Sequence, residues 1–162
     1  MEARELLMTR RSIRYFEERE IPDALLNKVL DLSRYAPSAK NSQPCYLVII
    51  RDKGIIGALG NVRGNSSAPI SRAPMAVAIC ADPEISRRYI QDGCIFAYHF
   101  MLSAWVYGLG TCWIADMDRD EVKDLLKVPK EHYVATVTPV GFPAEKPEIK
   151  ERKRPEEIIR TL

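Results

Sequence analysis

The chain has 162 residues, of which 46% are hydrophobic, so it is long enough for one domain with a substantial core. Its 24 basic and 22 acidic residues leave a net charge of +2, which excludes the strongly basic balance of a general nucleic-acid coat. Met1 to Arg14 is charged throughout and does not read as a secretion signal.

The predicted elements follow in chain order. Glu2 to Arg10 reads as a helix with Leu6 and Leu7 facing inward. Arg10, Arg11 and Arg14 then crowd three guanidinium groups around the hydroxyl of Ser12, and Lys150, Arg152, Lys153 and Arg154 form a second basic cluster. Planar guanidinium forks beside a hydroxyl suit phosphate oxygens, so a small phosphorylated ligand held by both ends of the chain is expected. A second helix opens at Ile21-Pro22-Asp23, with Asp23 as its cap, and ends before Pro37.

Ala36 to Pro44 (APSAKNSQP) is a polar loop between prolines, and Tyr46 to Ile50 reads as a buried strand. Gly54 to Pro74 reads as a short helix followed by a mobile loop, and Met75 to Ala81 as a second buried strand. Glu84 to Tyr107 is the strongest helical pattern, with Ile90, Cys94, Ala97, Met101, Ala104 and Trp105 on one face. From Cys94 on it is apolar nearly all round, so it is expected to be covered on every side, in part by a second subunit; a central helix of a monomer is the alternative. Gly108 and Gly110 stop this helix short of the roughly 20 residues a bilayer span needs, so no membrane partner is expected.

Thr111 to Ala115 reads as a third strand, Asp118 or Asp120 opens a short helix, and His132 to Val140 reads as a fourth strand. The mixture implies an α+β fold with helices packed on a sheet. Residues 142–160 are proline-containing and densely charged, and form either a disordered tail or an arm laid over a surface; Ile158 and Ile159 favour docking. The whole of 1–162 reads as one domain, with 143–162 as its extended arm. Cys45, Cys80, Cys94 and Cys112 form no C-x-x-C pair and read as reduced, buried hydrophobes of a cytoplasmic protein. His99 and His132 lack ligand spacing, so no metal is expected. Asp92, near the start of an apolar helix, needs a partner, a cap or a surface position.

Four segments together resemble the FMN-dependent nitroreductase family: RRSIRYF at Arg10 to Phe16, APSAKNSQP at Ala36 to Pro44, GLGTCWI at Gly108 to Ile114, and PVGFP at Pro139 to Pro143. Each motif is weak alone, but the four in this order span nearly the whole chain. The resemblance implies a central, mostly antiparallel sheet flanked by helices, a homodimer with FMN at its interface, and a C-terminal arm over the partner subunit.

It also implies residue roles. Arg10, Arg11 and Ser12 match positions that hold the FMN phosphate and ribityl chain. Arg14 matches a basic residue near the pyrimidine edge, where positive charge stabilises reduced flavin. Pro37, Ser38, Ala39 and Asn41 match the loop that approaches the flavin from the other subunit. Cys112, Trp113, Ile114 and Ala115 match the turn beside the ring, where a backbone N–H faces N5, and Arg152, Lys153 and Arg154 match residues that close over the phosphate. Asn65 is the candidate for a further pyrimidine contact.

The implied activity is reduction of bound flavin by NAD(P)H, followed by reduction of an electron-poor small molecule such as a nitroaromatic or quinone, in ping-pong fashion. No catalytic side chain is required, and Cys112 reads as packing rather than as a redox thiol. A non-catalytic flavin carrier or sensor of the same fold is the alternative, motivated by the short chain with little lid over the ring. Nucleic-acid binding through the two basic clusters ranks low, because it leaves APSAKNSQP and GLGTCWI without a role.

Overall fold

The structure, a computed structural model, describes residues 2–162. Four strands form one antiparallel sheet in the order β1-β2-β4-β3: β1 (Cys45–Ile50), β2 (Met75–Ala81), β3 (Gly110–Thr111) and β4 (Tyr133–Gly141). The central strand β2 is the fully apolar run MAVAICA and is buried along its whole length. Its alternate side chains enter two cores. Ala76, Ala78 and Cys80 pack on one face with Ile56 and Leu59 of α3 (Lys53–Asn61) and Val122 and Leu126 of α5 (Asp120–Leu126). Met75, Val77 and Ile79 pack on the other with Leu26 and Val29 of α2 (Asp23–Ser33) and Ala97, Phe100 and Ala104 of α4 (Tyr89–Val106). The expected antiparallel sheet between helices is therefore present, with a register shift at Ile79/Cys80.

The two sheet edges differ. Beyond β3 the N-terminal segment adds a parallel bridge, Ser12 to Thr111, while β1 has no strand on its outer side among the described residues. Phe16 bridges Pro143, and backbone bonds from Glu17 to Phe142 and from Ala144 to Tyr15 tie the two ends of the chain together.

Several expectations need correction. The helix α1 (Ala3–Thr9) buries none of its residues, and Leu7 is exposed rather than inward. Asp23 is not a cap; Pro22 occupies that position, and the Asp23 carboxylate instead pairs with Arg51 at 2.6 Å. The long helix begins at Tyr89 rather than Glu84, because side chains claim the preceding amides: Glu84 N donates to Asp82 Oδ1 at 2.8 Å and Arg88 N to Ser86 Oγ at 3.1 Å. Ile90, expected on its inner face, is exposed.

Residues 62–74 are packed, not loose. They form two single 3-10 turns, 64–66 and 70–72, with Ile70 buried and the Ser67 hydroxyl donating to the Gly60 carbonyl at 2.8 Å. The expected third strand shrinks to Gly110–Thr111. The final helix α6 (Pro155–Ile158) lies in a segment, 146–162, from which no hydrogen bond reaches the rest of the chain among the described residues. No helix of the described residues is long and apolar enough to cross a membrane.

Candidate functional site

After α1 the backbone turns extended and lies along the sheet edge, where Ile13 N donates to the Thr111 carbonyl at 2.9 Å. Extended chain sends successive side chains to opposite faces, so burying Ile13 turns Ser12 and Arg14 the other way. The close approach depends on Gly110: a Cβ there would stand 2.7 Å from Ile13 Cγ1. Arg10, Ser12 and Arg14 all lie within electrostatic reach of Cys112. Burial pushes the Cys112 thiol up, and Arg14, the Ser12 hydroxyl and Arg10 each pull it down. Burial wins, so Cys112 stays a protonated thiol at neutral pH and is not poised for redox chemistry.

Neither Arg10 nor Arg14 forms an ion pair among the described residues. Two unpaired guanidinium groups beside one hydroxyl are the donor set a phosphate oxygen takes. Arg11 differs: its Nη1 donates to the carbonyls of Met8 at 2.7 Å and Arg10 at 2.9 Å, closing the end of α1. Glu145, which the sequence did not single out, accepts the amides of Arg14 at 2.5 Å and Tyr15 at 3.2 Å and so fixes the backbone that carries Arg14.

The turn following Thr111 leaves the sheet but keeps strand-like bonding through side chains. Thr138 Oγ1 accepts from Cys112 N at 3.3 Å, and Thr136 Oγ1 accepts from Ile114 N at 3.2 Å and donates to the Ile114 carbonyl at 2.9 Å. Cys112 and Ile114 point into the core, while Trp113 and Ala115 face outward. The turn ends at Asp116, whose φ of 58° is left-handed. Arg63 donates to the Ala115 carbonyl at 2.6 Å and pairs with Asp116 at 3.2 Å, and Arg119 pairs with the same carboxylate at 2.5 Å. The Arg119 hydrogen bond, with help from both positive charges, holds the Asp116 carboxyl below its ordinary 3.8. Arg63 is the residue of this region that reaches the turn; Asn65 is exposed and makes no side-chain hydrogen bond among the described residues.

The loop of residues 36–44 contains three left-handed residues that are not glycine: Lys40, Asn41 and Gln43, with φ of 54°, 55° and 53°. Each costs about 1–2 kcal/mol, least for asparagine. The hydroxyl of Ser42 is buried and unpaired, which costs about 1–3 kcal/mol more. Against this, Ser38 Oγ accepts from Gln43 N at 2.9 Å and Asp92 Oδ1 from Ala39 N at 2.9 Å. Pro37, Ser38, Ala39 and Asn41 lie at or near the surface on this loop. A pocket of about 230 Å³ lies behind it, lined among others by Leu30, Pro44, Leu47 and Phe96, and holds none of the N-terminal arginines.

Arg152, Lys153 and Arg154 are exposed, and their described side-chain hydrogen bonds stay within the tail. Arg152 donates to the Lys150 and Glu151 carbonyls, and Glu157 accepts from the Arg154 amide at 2.9 Å at the start of α6. Among the described residues, no three His, Cys, Asp or Glu side chains group as a metal site.

An antiparallel sheet between two helical layers, with unpaired arginines along one edge, defines a protein suited to holding a small anionic ligand at that edge. The model of the Nitroreductase family matches residues 7–68 and 61–142, and the chain belongs to that family. It is 30% identical over 165 residues, 98% of this chain and 86% of the other, to a protein of Methanothermobacter thermautotrophicus whose predicted activity is NADH dehydrogenase/NAD(P)H nitroreductase. An FMN-dependent nitroreductase from Clostridium difficile R20291 is similar with a TM-score of 0.86 and 28% identity, over 96% of each chain. The NADPH:FMN oxidoreductase of Vibrio harveyi, solved with NAD+, shares the fold with a TM-score of 0.86 at 24% identity, over 97% of this chain and 75% of that one.

Proposed function

We propose that this chain is an FMN-dependent oxidoreductase that uses NAD(P)H to reduce an electron-poor small molecule. The observation that carries the reading is the pair of unpaired guanidinium groups, Arg10 and Arg14, beside Ser12 and the 112–116 turn. That donor set suits a phosphorylated, electron-accepting ring: Arg10 and Ser12 would hold the phosphate end, and Arg14 would lie nearer the ring. When bound, FMN would supply hydride transfer in two successive half-reactions, from NAD(P)H and then to an acceptor such as a nitroaromatic or quinone.

The chain's own part is positioning and charge. Thr136 and Thr138 fix the backbone of the 112–114 turn, so its outward amides are held still rather than reorganised when a ligand arrives. Cys112 packs the turn against the core. Tail residues Arg152, Lys153 and Arg154 would supply further positive charge to the phosphate.

A homodimer is part of the reading. Ile95 and Tyr98 of α4 are 44% and 49% exposed, and Leu7 and Met8 of α1 are exposed as well. These apolar side chains, on helices that contact each other, are what a partner subunit would cover. In the dimer the 36–44 loop of one subunit would meet the cofactor held by the other, and residues 143–162 would lie across the partner.

The first test is the purified protein's spectrum. Bound FMN with a stoichiometry near one per subunit in a dimeric species supports the reading. Colourless protein that takes up no added FMN overturns it. Anaerobic mixing with NADH or NADPH separates an enzyme from a carrier, since only the enzyme bleaches the flavin promptly.

A further inference from the structure

We propose that Asp92 is a positioning residue that holds the 37–44 loop in the shape a flavin meets. The inference rests on the cofactor reading above and extends it to a residue that touches no cofactor. Asp92 lies in the first turn of α4 and is only 3% exposed. Its two carboxylate oxygens have separate duties. Oδ2 accepts from the Ser86 hydroxyl at 2.6 Å, and Oδ1 accepts from the Ala39 amide at 2.9 Å. No arginine or lysine pairs with it among the described residues, although Arg87 and Arg88 are close in sequence. Both donors are neutral.

The loop depends on that contact. At its start Ala36 N donates to Ser33 O at the end of α2, and at its close Pro44 O accepts from Asp82 N. Between these ends, the described hydrogen bonds of Ser38 through Gln43 are internal to the loop, save the one to Asp92. Ala39 directly precedes the left-handed Lys40 and Asn41, and three residues on Ser42 carries the unpaired buried hydroxyl. A segment with three disfavoured residues and an orphaned hydroxyl relaxes once its one outside tether is cut. Ser86 completes the device: it is buried, and its hydroxyl accepts from Arg88 N while donating to Asp92, which fixes the carboxylate so that Oδ1 faces Ala39. The non-helical run before Tyr89 is what brings Ser86 back over the helix start.

A purely structural role for Asp92 predicts loss of stability and nothing more. The test compares full-length wild type, Asp92→Asn, Ser86→Ala and a stability control, Ile56→Ala, which opens the core on the opposite face of the sheet. Two quantities are read: amide hydrogen exchange at Ala39, Asn41, Ser42 and Gln43 without ligand, and FMN affinity by fluorescence quenching with dimer content monitored. Asp92→Asn is expected to speed exchange at these amides and to weaken FMN binding by about tenfold each, with Ser86→Ala giving smaller changes of the same sign. Ile56→Ala is expected to lower the melting temperature while leaving exchange at the loop amides near wild type; its FMN affinity is not read, because Ile56 shares a core with Cys112 and Ile114.

Exchange and affinity within about twofold of wild type in Asp92→Asn overturn the proposal. So does an Ile56→Ala protein that reproduces the faster exchange at the loop amides. If Asp92→Asn does not fold, Ser86→Ala decides: faster loop exchange supports the tether, and unchanged exchange overturns it. Wild-type protein that binds no FMN sinks the cofactor reading instead, and the ligand-free exchange measurement still judges the tether.

Discussion

Thr136 meets Ile114 twice through one oxygen: its Oγ1 takes the Ile114 amide at 3.2 Å and gives its proton to the Ile114 carbonyl at 2.9 Å. A single side chain thereby does for one residue what a neighbouring strand does in a ladder. Thr136→Val keeps the shape and removes both bonds, leaving a buried amide and carbonyl unpaired. The expected loss is about 2–4 kcal/mol of unfolding free energy by urea denaturation, with weaker FMN retention because the 112–116 turn loosens. Unchanged stability would mean that the turn finds other partners.

The N-terminal arginines make a separate prediction. Arg10→Gln and Arg14→Gln each remove a guanidinium that pairs with no acid of the described chain. Each substitution is expected to weaken FMN binding by about 1.5–3 kcal/mol, roughly ten- to a hundredfold, with little change in melting temperature. Arg11→Gln is expected to do the reverse: it loosens the end of α1 and disturbs FMN binding less. Flavin titration and calorimetry of the same three proteins check this ordering.

Gly110 is a steric requirement. A methyl group there meets Ile13 Cβ at 2.8 Å as well as Cγ1 at 2.7 Å. Gly110→Ala is expected to destabilise by about 1–3 kcal/mol and to push the arginine segment off the sheet edge, lowering cofactor affinity. Adding Ile13→Ala should recover part of the affinity. If the double variant is no better than the single one, the contact is not what sets the gap.

Asp116 carries the acid-side prediction. Its carboxyl is depressed by Arg119 and Arg63, so its contribution to stability is present above the ordinary 3.8 and fades as pH falls through the lower folded value. Asp116→Asn keeps a residue that tolerates the left-handed backbone while removing the charge. The variant's stability should therefore fall less steeply than wild type's below about pH 4, as read by urea denaturation across pH 3–7. A wild-type slope in the variant would show that other carboxylates govern the acid limb.

Cys112→Ser bears on chemistry. Burial keeps the Cys112 thiol up, and likewise pushes Cys45 up to about 12. Serine at position 112 should leave the rate of NAD(P)H-dependent flavin bleaching close to wild type, measured anaerobically. Loss of that rate with FMN still bound would return the thiol to the mechanism.

Much of the fold was legible because burial writes itself into composition. MAVAICA is apolar on both sides and is strand from Met75 to Ala81, as expected. What the pattern could not show is where a side chain takes over a backbone duty. TCWIA has strand propensity, yet Thr136 and Thr138 replace the ladder after Thr111; two threonines alternating on one face of β4 were the available clue. Asp82 and Ser86 delayed α4 by the same means. In the candidate site, Arg10, Ser12, Arg14 and Cys112 come together as one cluster. Arg11 turns toward α1, and Arg63, which spacing did not single out, reaches the 115–116 backbone and carboxylate, because orientation and long reach are not properties of spacing.

The unequal margins of the sheet carry one last consequence. On one side the N-terminal segment has already claimed the outermost strand, through Ser12 and Thr111. On the other, CYLVII presents its outer rim with no charged residue inside it; Pro44 just before it and Arg51 just after are its only guards. Misassembly of stressed protein by strand addition is thus directed to residues 45–50. Protease-resistant cores recovered from heated material should map there rather than to the arginine edge.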